Sequence, residues 1–317
     1  MAPRHVGLLA ALAAVWGGSY LLIKYALEDF EPAVIVWIRC VLAGIVLYAV
    51  MRMRNGGAEV RAANAELRAR PGRAILLGAL AIALPFNLIT FGELEVPSGM
   101  TAVLIAPASL FVAAFAPFID VTEKVPRTAL GAMLLGLAGV ALLVGVESVH
   151  SLGEFLGSLA MLGAAACYAL SSFVVKRYKG LTSVTTSFVS ILVASVLTLP
   201  AAIATAPSEL PGTRALLSVL ALGVVGTALA FVIFYKLISE TGAGRASLVS
   251  YLAPGIALFY GALLLDEPIT VASIGGLALI LGGVALASRN PKGADCSAGL
   301  PATVHPPDHR QAASSTT

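Results

Sequence analysis

The chain has 317 residues, of which 58% are hydrophobic and only 12% are charged, with a formal net charge of +3. A soluble domain carries about 25% charged residues, whereas the mean hydropathy here is +0.92 and the apolar residues come in long blocks. This composition excludes a water-soluble fold, a coiled coil and a disordered chain, and it predicts an all-α membrane protein.

Ten apolar blocks are each long enough to cross a bilayer as a helix of about 20 residues. We number them segments 1 to 10, over residues 6–23, 32–51, 74–92, 97–119, 128–146, 155–175, 184–206, 214–235, 245–265 and 270–287. The longest connection, residues 52–73, is basic and too polar to enter lipid. Residues 289–317 are rich in Pro, Ser, Thr and Ala without apolar periodicity, which predicts a disordered cytoplasmic tail.

The basic residues lie almost entirely on one side of the predicted membrane. With a cytoplasmic N-terminus, 17 of the 20 Lys and Arg residues fall on the inner side, and only Lys24 and Arg214 fall in outer loops. Basic residues accumulate in cytoplasmic loops. This asymmetry therefore predicts a multi-pass protein of the inner (plasma) membrane with both termini cytoplasmic.

The second half of the chain repeats the first. A shift of 144 residues places GAMLLGLAGVAL over GGLALILGGVAL with 7 of 12 positions identical, and it places Glu123 over Glu267. A second shift, of 152 residues, places Trp16, Ser19, Tyr20 and Lys24 over Tyr168, Ser171, Ser172 and Lys176. The repeat predicts two five-helix units, residues 1–147 and 148–288.

Each unit contains an odd number of segments, so the second unit enters the membrane from the opposite side. Lys24 then lies at the outer face and its counterpart Lys176 at the inner face. Inverted repeats place a binding site near the membrane midplane and give two conformations of similar energy, as alternating access requires. The predicted fold is ten transmembrane helices arranged as two inverted five-helix repeats.

Several motifs resemble those of the drug/metabolite transporter superfamily, EamA type. They are WGGSYLLIKYAL in segment 1, WIR in segment 2, and an acidic turn before a Gly-rich helix after segments 4 and 9, TEKVPRTALG and DEPITVASIG. The resemblance covers about residues 6–287. It implies a ten-helix, inverted-repeat secondary carrier, which in this superfamily often exports amino acids or other small metabolites.

Polar and aromatic side chains recur on single faces of the predicted helices. In segments 1 and 6 they stand at i, i+3 and i+4 and so share one face, and such groups at membrane depth usually face protein or a water-filled cavity. The predicted substrate-binding residues are Trp16, Ser19, Tyr20, Asn87, Phe91, Pro107, Tyr168, Ser171, Ser172, Phe231, Tyr235, Ser250, Tyr251 and Pro254. A structural alternative stays open, in which the serines bond to their own helices and the rings pack between helices.

The prolines differ between the two units. Pro254 stands thirteen residues before Glu267, whereas Leu110 holds the matching position before Glu123 and the nearby proline is Pro107. A proline removes a backbone donor and kinks a helix. The kink in segment 4 is therefore expected one turn away from its position in segment 9.

Arg39 lies about eight residues into segment 2, roughly 12 Å deep at 1.5 Å per residue. A charge there suggests a function, but a guanidinium can also tie helix ends together; an anion-binding or gating role and a structural tie both stay open. No Asp or Glu lies near the middle of any segment. We therefore expect facilitated diffusion, exchange, or coupling through an end group such as Glu93.

The chain lacks a Walker loop, an H-E-x-x-H motif and a G-x-S-x-G elbow, so we expect no catalytic residues, no metal site and no cofactor. The expected partners are the lipid bilayer and a small-molecule substrate, without nucleic acid. Gly-rich faces of segments 5 and 10 are typical of close helix packing, either within the chain or between the protomers of a homodimer; they carry Gly131, Gly139, Gly275 and Gly283.

Together these features predict a secondary transporter that moves a small amino-acid-like or amphipathic solute by alternating access, as an exporter. The alternative is a membrane-embedded enzyme or scaffold without transport activity.

Overall fold

A computed structural model of the chain describes residues 2–54, 57–119, 131, 134–142, 151–175, 181–241 and 249–288, and every regular element in these ranges is helical. Within these described ranges, six helices are long and apolar enough to cross a membrane: Pro3–Ala26, Pro32–Arg54, Pro71–Gly92, Leu152–Val175, Ser183–Ala204 and Thr213–Phe234. They correspond to segments 1, 2, 3, 6, 7 and 8. The all-α prediction is confirmed, with six clear spans.

The remaining segments form shorter helices in the described ranges. Segment 4 consists of two helices, Ser98–Ile105 and Ala108–Ile119, and the described part of segment 5 is helical over 134–142. Segments 9 and 10 form helices Val249–Leu264 and Val271–Ser288.

The two prolines singled out in the sequence act differently. The helix of segment 4 breaks at residues 106–107, directly at Pro107, whereas Pro254 lies inside the uninterrupted helix of segment 9. The carbonyl of Pro107 accepts the amides of Leu110 and Phe111 at 2.8 and 3.0 Å. These two bonds start the second helix of segment 4, so the break costs few backbone hydrogen bonds.

Wide turns occur at matching places in segments 3 and 8. Residues Ala79–Ala83 and Leu222–Leu229 are π-helical, and the two stretches overlap under the same shift of 144 residues that places Glu123 over Glu267. In segment 3 the wide turn precedes Pro85, which has no amide to donate. In segment 8 the hydroxyl of Thr227 donates to the carbonyl of Leu222 at 2.8 Å. Wide turns of this kind are frequent at functional sites.

The helices pack in pairs that recur between the halves. Segment 1 packs against segments 8 and 9, and segment 6, five segments later, packs against segments 3 and 4. Segment 2 packs against segments 7 and 8, and segment 7 packs against segments 2 and 3. Exchanging each segment with the one five places away thus leaves these packing relations unchanged.

The polar connection between segments 2 and 3 forms a short helix, Ala58–Ala69. It begins after Gly57, whose φ of 81° favours glycine. Val60 and Ala63 are buried and join the main core cluster, while Arg73 donates to Glu66 through Nε at 2.9 Å. The connection is therefore an amphipathic helix that lies against the bundle.

Glycines let segments 5 and 10 approach closely within one chain. A Cβ on Gly139 would lie 2.9 Å from the carbonyl oxygen of Gly276, and a Cβ on Gly275 would lie 3.3 Å from Leu142. No described residue lies within 4 Å of a Cβ built on Gly131. The small-residue face around Gly139 therefore serves an internal helix contact.

A second glycine contact joins segments 3 and 6. A Cβ on Gly92 would lie 2.8 Å from the carbonyl oxygen of Gly157 and 2.7 Å from the Met161 methyl group, and a Cβ on Gly157 would lie 3.0 Å from the carbonyl oxygen of Gly92. On the same interface Gly163 has more space, since a Cβ added there would lie 3.5 Å from the side chain of Leu88. The close contact between Gly92 and Gly157 requires residues that have no side chain, whereas the position of Gly163 leaves room for a methyl group.

We therefore expect Gly92→Ala to lower the melting temperature of the detergent-solubilised protein, because the added methyl overpacks the crossing at a cost of about 1–3 kcal/mol. Gly163→Ala is the matched control, since it makes the same chemical change on the same interface with ordinary contact. Thermal unfolding of both variants checks this. Equal melting temperatures for the two variants would contradict the close crossing.

Candidate functional site

The predicted aromatic residue of segment 1 lies against segment 8. The ring of Trp16 is 6.4 Å from that of Phe231 at 73° and 5.2 Å from that of Phe234 at 51°, measured between centroids. Edge-to-face and tilted pairs of this kind stabilise a contact beyond the area they bury. The structure thus brings together two predicted site residues, Trp16 and Phe231, and adds Phe234, which the sequence did not single out.

The three predicted serines whose side chains the structure describes bond to their own helices. The hydroxyl of Ser19 donates to the carbonyl of Val15 at 2.9 Å. Those of Ser171 and Ser172 donate to the carbonyls three residues earlier at 2.8 and 2.6 Å. All three serines are buried. A hydroxyl that donates in this way keeps only its acceptor lone pairs for another partner.

Asn87 follows the same pattern on segment 3. Its Nδ2 donates to the carbonyl of Ala83 at 2.7 Å, and the residue is half-buried. The side-chain oxygen of Asn87 makes no hydrogen bond within its own helix, so it can accept one from another partner. Phe91, one turn further on, is 56% exposed, and Pro107 and Pro254 are buried.

Electrostatic interactions link one arginine to two tyrosines from opposite halves of the chain. Tyr20 on segment 1 and Tyr168 on segment 6 are half-buried, and each interacts electrostatically with the other and with Arg39. A charged group near two hydroxyls could orient a polar solute. This cluster contains two predicted site residues from opposite halves of the chain.

Arg39 itself ties three segments together. It is 8% exposed, its Nε donates to the Thr227 hydroxyl at 2.6 Å, and its guanidinium carbon lies 4.0 Å from the ring centroid of Phe86. The first contact reaches the wide turn of segment 8 and the second reaches segment 3. Of the two readings left open by the sequence, these contacts favour the structural tie.

Three predicted site residues cannot be placed in full. The side chains of Tyr235, Ser250 and Tyr251 lie outside the described part of the structure, although their backbones belong to the helices of segments 8 and 9. Glu123 and Lys176, which mark the repeat in the sequence, also lie outside the described residues.

Charged side chains lie near the C-terminal end of segment 3. The ammonium group of Lys24 donates a hydrogen bond to the backbone carbonyl of Glu93. Glu93 is completely buried. The Glu267 carboxylate accepts the amide of Ser98 at 2.7 Å, the Ser98 hydroxyl at 3.0 Å and the amide of Gly99 at 3.0 Å. A carboxylate from the connection between segments 9 and 10 therefore caps the first helix of segment 4.

A pocket adjoins this cap and is lined in part by Val96, Met100, Leu258 and Glu267. It contains none of the predicted site residues. The sequence identifies Glu267 as a mark of the repeat but does not predict the cap. A cap supplied by a residue 169 positions away has no local signature. Among the described residues, no group of three or more His, Cys, Asp or Glu side chains could hold a metal ion.

Comparison with known proteins agrees with this architecture. The EamA-like transporter family matches residues 5–145 and again residues 155–289. The uncharacterized inner membrane transporter YedA of Escherichia coli (strain K12) is 27% identical over 277 residues, covering 86% of each chain. The uncharacterized transporter YoaV of Bacillus subtilis (strain 168) is 22% identical over 281 residues, covering 87% of this chain and 94% of that one.

A relative with a named solute is the S-adenosylmethionine/S-adenosylhomocysteine transporter of Chlamydia trachomatis serovar L2, 28% identical over 272 residues and 80% of each chain. A solved crystal structure, 20% identical, superposes with a TM-score of 0.64 over 90% of this chain and 98% of its own, so it shares the fold. Because the family matches both halves and the relatives are transporters, the chain belongs to the EamA-like transporters of the drug/metabolite transporter superfamily, multi-pass membrane proteins that carry small molecules.

Proposed function

We propose that the protein is a secondary transporter with ten spans in two inverted five-helix repeats, residues 1–147 and 148–288. Residues 289–317 form its cytoplasmic tail, and both termini lie in the cytoplasm. The observation that carries the proposal is the double family match, since each matched stretch contains five apolar segments. Two copies of an odd-numbered unit in tandem must have opposite orientations in the membrane.

The recurring helix pairs support alternating access. Contacts that segment 1 makes with segments 8 and 9 have counterparts in those that segment 6 makes with segments 3 and 4. Two halves with equivalent interfaces can exchange their arrangements with little change in free energy, which opens the site to either side in turn. The wide turns of segments 3 and 8 lie at matching depths and provide the places where these helices can bend.

The solute site in this proposal lies between the halves, around the predicted residues of segments 1, 3, 6 and 8. A serine hydroxyl can donate or accept a hydrogen bond, and so can the side-chain amide of Asn87. In the structure the hydroxyls of Ser19, Ser171 and Ser172 and one N–H of Asn87 donate within the helices, so these side chains offer mainly acceptors to a solute. We therefore assign a solute that carries N–H donors, such as an amino acid or another small amine, and export as the direction that the superfamily resemblance implies.

The solute class can be tested in proteoliposomes that contain the purified full chain. They would be loaded with neutral amino acids, S-adenosylmethionine, and hydroxy acids that match the amino acids except for the amino group. We expect efflux of the amine-bearing solutes to exceed that of the hydroxy acids by about tenfold or more, since a hydrogen bond to a charged group contributes roughly 1.5–3 kcal/mol. Equal efflux would contradict the solute class, and no efflux above that of empty liposomes for any solute would contradict transport.

Asn87 provides a sharper test, because the chain contains a matched control one turn away. Thr90 also bonds to the carbonyl four residues earlier, at 2.8 Å, but it is 1% exposed. We expect Asn87→Leu to reduce flux of the best solute roughly tenfold or more by removing an acceptor, and Thr90→Val to leave flux unchanged. Efflux assays on both variants, with melting temperatures measured in parallel, check this. A loss of flux in Thr90→Val equal to that in Asn87→Leu would mean that helix stability, not solute binding, explains the effect.

A further inference from the structure

The carboxyl group of Glu93 is buried without a hydrogen-bond donor. Glu93 stands one residue beyond the helix Pro71–Gly92 and is 0% exposed, and within the described residues neither of its carboxyl oxygens has a hydrogen-bond partner. An ionised carboxylate in such surroundings is costly unless donors or a counter-charge compensate it. The neutral, protonated form avoids this cost.

In the part of the chain that the structure describes, the groups that interact electrostatically with Glu93 come from three neighbouring elements. Tyr20 and Lys24 are on segment 1, Arg39 is on segment 2, and Glu267 is in the connection between segments 9 and 10. The ammonium group of Lys24 donates to the backbone carbonyl of Glu93, and Arg39 donates to Thr227.

Burial raises the pKa of the Glu93 carboxyl well above its ordinary value, and the charge of Lys24 opposes that rise, while the charge of Glu267 adds to it. The direction agrees with the geometry, since the ammonium group of Lys24 bonds to the backbone oxygen of Glu93 and no described group donates to its carboxyl oxygens. In this conformation the neutral, protonated form of the Glu93 carboxyl group is therefore the more stable one.

Glu267, whose charge acts on Glu93, lies in a contact between the two halves. Its carboxylate accepts three hydrogen bonds from Ser98 and Gly99 at the start of segment 4, where the helix dipole favours a negative charge. This outer cap holds the connection between segments 9 and 10 against segment 4. Because Glu93 and Glu267 interact electrostatically, a second negative charge at Glu93 would destabilise the cap.

We propose that Glu93 is a proton-binding site that controls closure of the outer side of the transporter through the Glu267 cap. The inference rests on the proposed topology, which places both carboxyl groups at the outer face. When the outer side is closed, one carboxyl oxygen of Glu93 carries the proton and Glu267 is ionised. When the outer side opens, water reaches Glu93, the O–H bond breaks, and the proton leaves to the outer medium.

The sign of the pH dependence follows from linkage. The carboxyl has a higher pKa in the closed form than in the open form, so closure binds a proton and is favoured at low outer pH. This stabilisation is fully present below the ordinary carboxyl pKa of about 4.3. It is lost as pH rises through the raised pKa of the closed form, by at most about tenfold in the closed-to-open ratio per pH unit.

Cysteine accessibility tests this without knowledge of the solute. Val96 lines the pocket beside the cap and is 1% exposed, whereas Leu94, two residues away, is 48% exposed. Val96→Cys and Leu94→Cys would be made separately in a chain whose Cys40, Cys167 and Cys296 are replaced by alanine. A membrane-impermeant maleimide would then label each protein in proteoliposomes from about pH 5 to pH 8, and the ratio of the two rates corrects for thiol chemistry.

We expect the Val96→Cys to Leu94→Cys ratio to rise with pH by up to about tenfold per unit. It should stay low and independent of pH when Glu93→Gln is added, and Glu93→Asp should restore the dependence. An unchanged pH dependence in Glu93→Gln would overturn the proposal.

A second readout needs no cysteine. Hydrogen exchange at the amides of Ser98 and Gly99, corrected for intrinsic rates, should become faster with pH in the native chain and not in Glu93→Gln. The same pH response in both proteins would overturn the proposal as well. Because both readouts report the gate alone, a gate that titrates normally in a protein that moves no solute would locate the failure in the proposed function.

Discussion

The fold depends on one constraint: a chain inside lipid must satisfy its polar groups by itself, because no water is available to do so. Helices solve this for the backbone, and the side chains of this protein solve it locally. The hydroxyls of Ser19 and Thr90 and the amide of Asn87 all donate to carbonyls four residues earlier. Arg39, a buried cation in segment 2, has Thr227 and the face of Phe86 as partners.

The same constraint gives the proposed site its chemistry. Groups that donate to their own helix offer acceptors to a solute, and that is a reason for a carrier of amines to be lined by serines and asparagine. It also distinguishes Glu93 from Glu267, although both carboxyl groups lie at the same end of the bundle. Glu267 has three donors, whereas the oxygens of Glu93 have none among the described residues, so we expect Glu93 to exchange a proton as the outer side opens and closes.

Much of the fold could be predicted from the sequence, because long apolar blocks have few alternatives in lipid. Segments 1 and 7 agree with helices Pro3–Ala26 and Ser183–Ala204 within a few residues at each end. The wide turn Leu222–Leu229 could not be predicted, since apolar periodicity does not distinguish it from an ordinary helix. At the site, the face containing Trp16 was predicted, but its contact with Phe234 and the cap formed by Glu267 depend on tertiary packing between distant parts of the chain.

Inverted orientation of the two halves is the central claim, since the midplane site, alternating access and the outer position of Glu93 all follow from it. Lys24→Cys and Lys176→Cys, each as the single cysteine in intact cells, would be treated with a membrane-impermeant thiol reagent and then with a permeant one. The account predicts that the impermeant reagent labels position 24 and that only the permeant reagent labels position 176. Labelling of both positions from the same side of the membrane would contradict it.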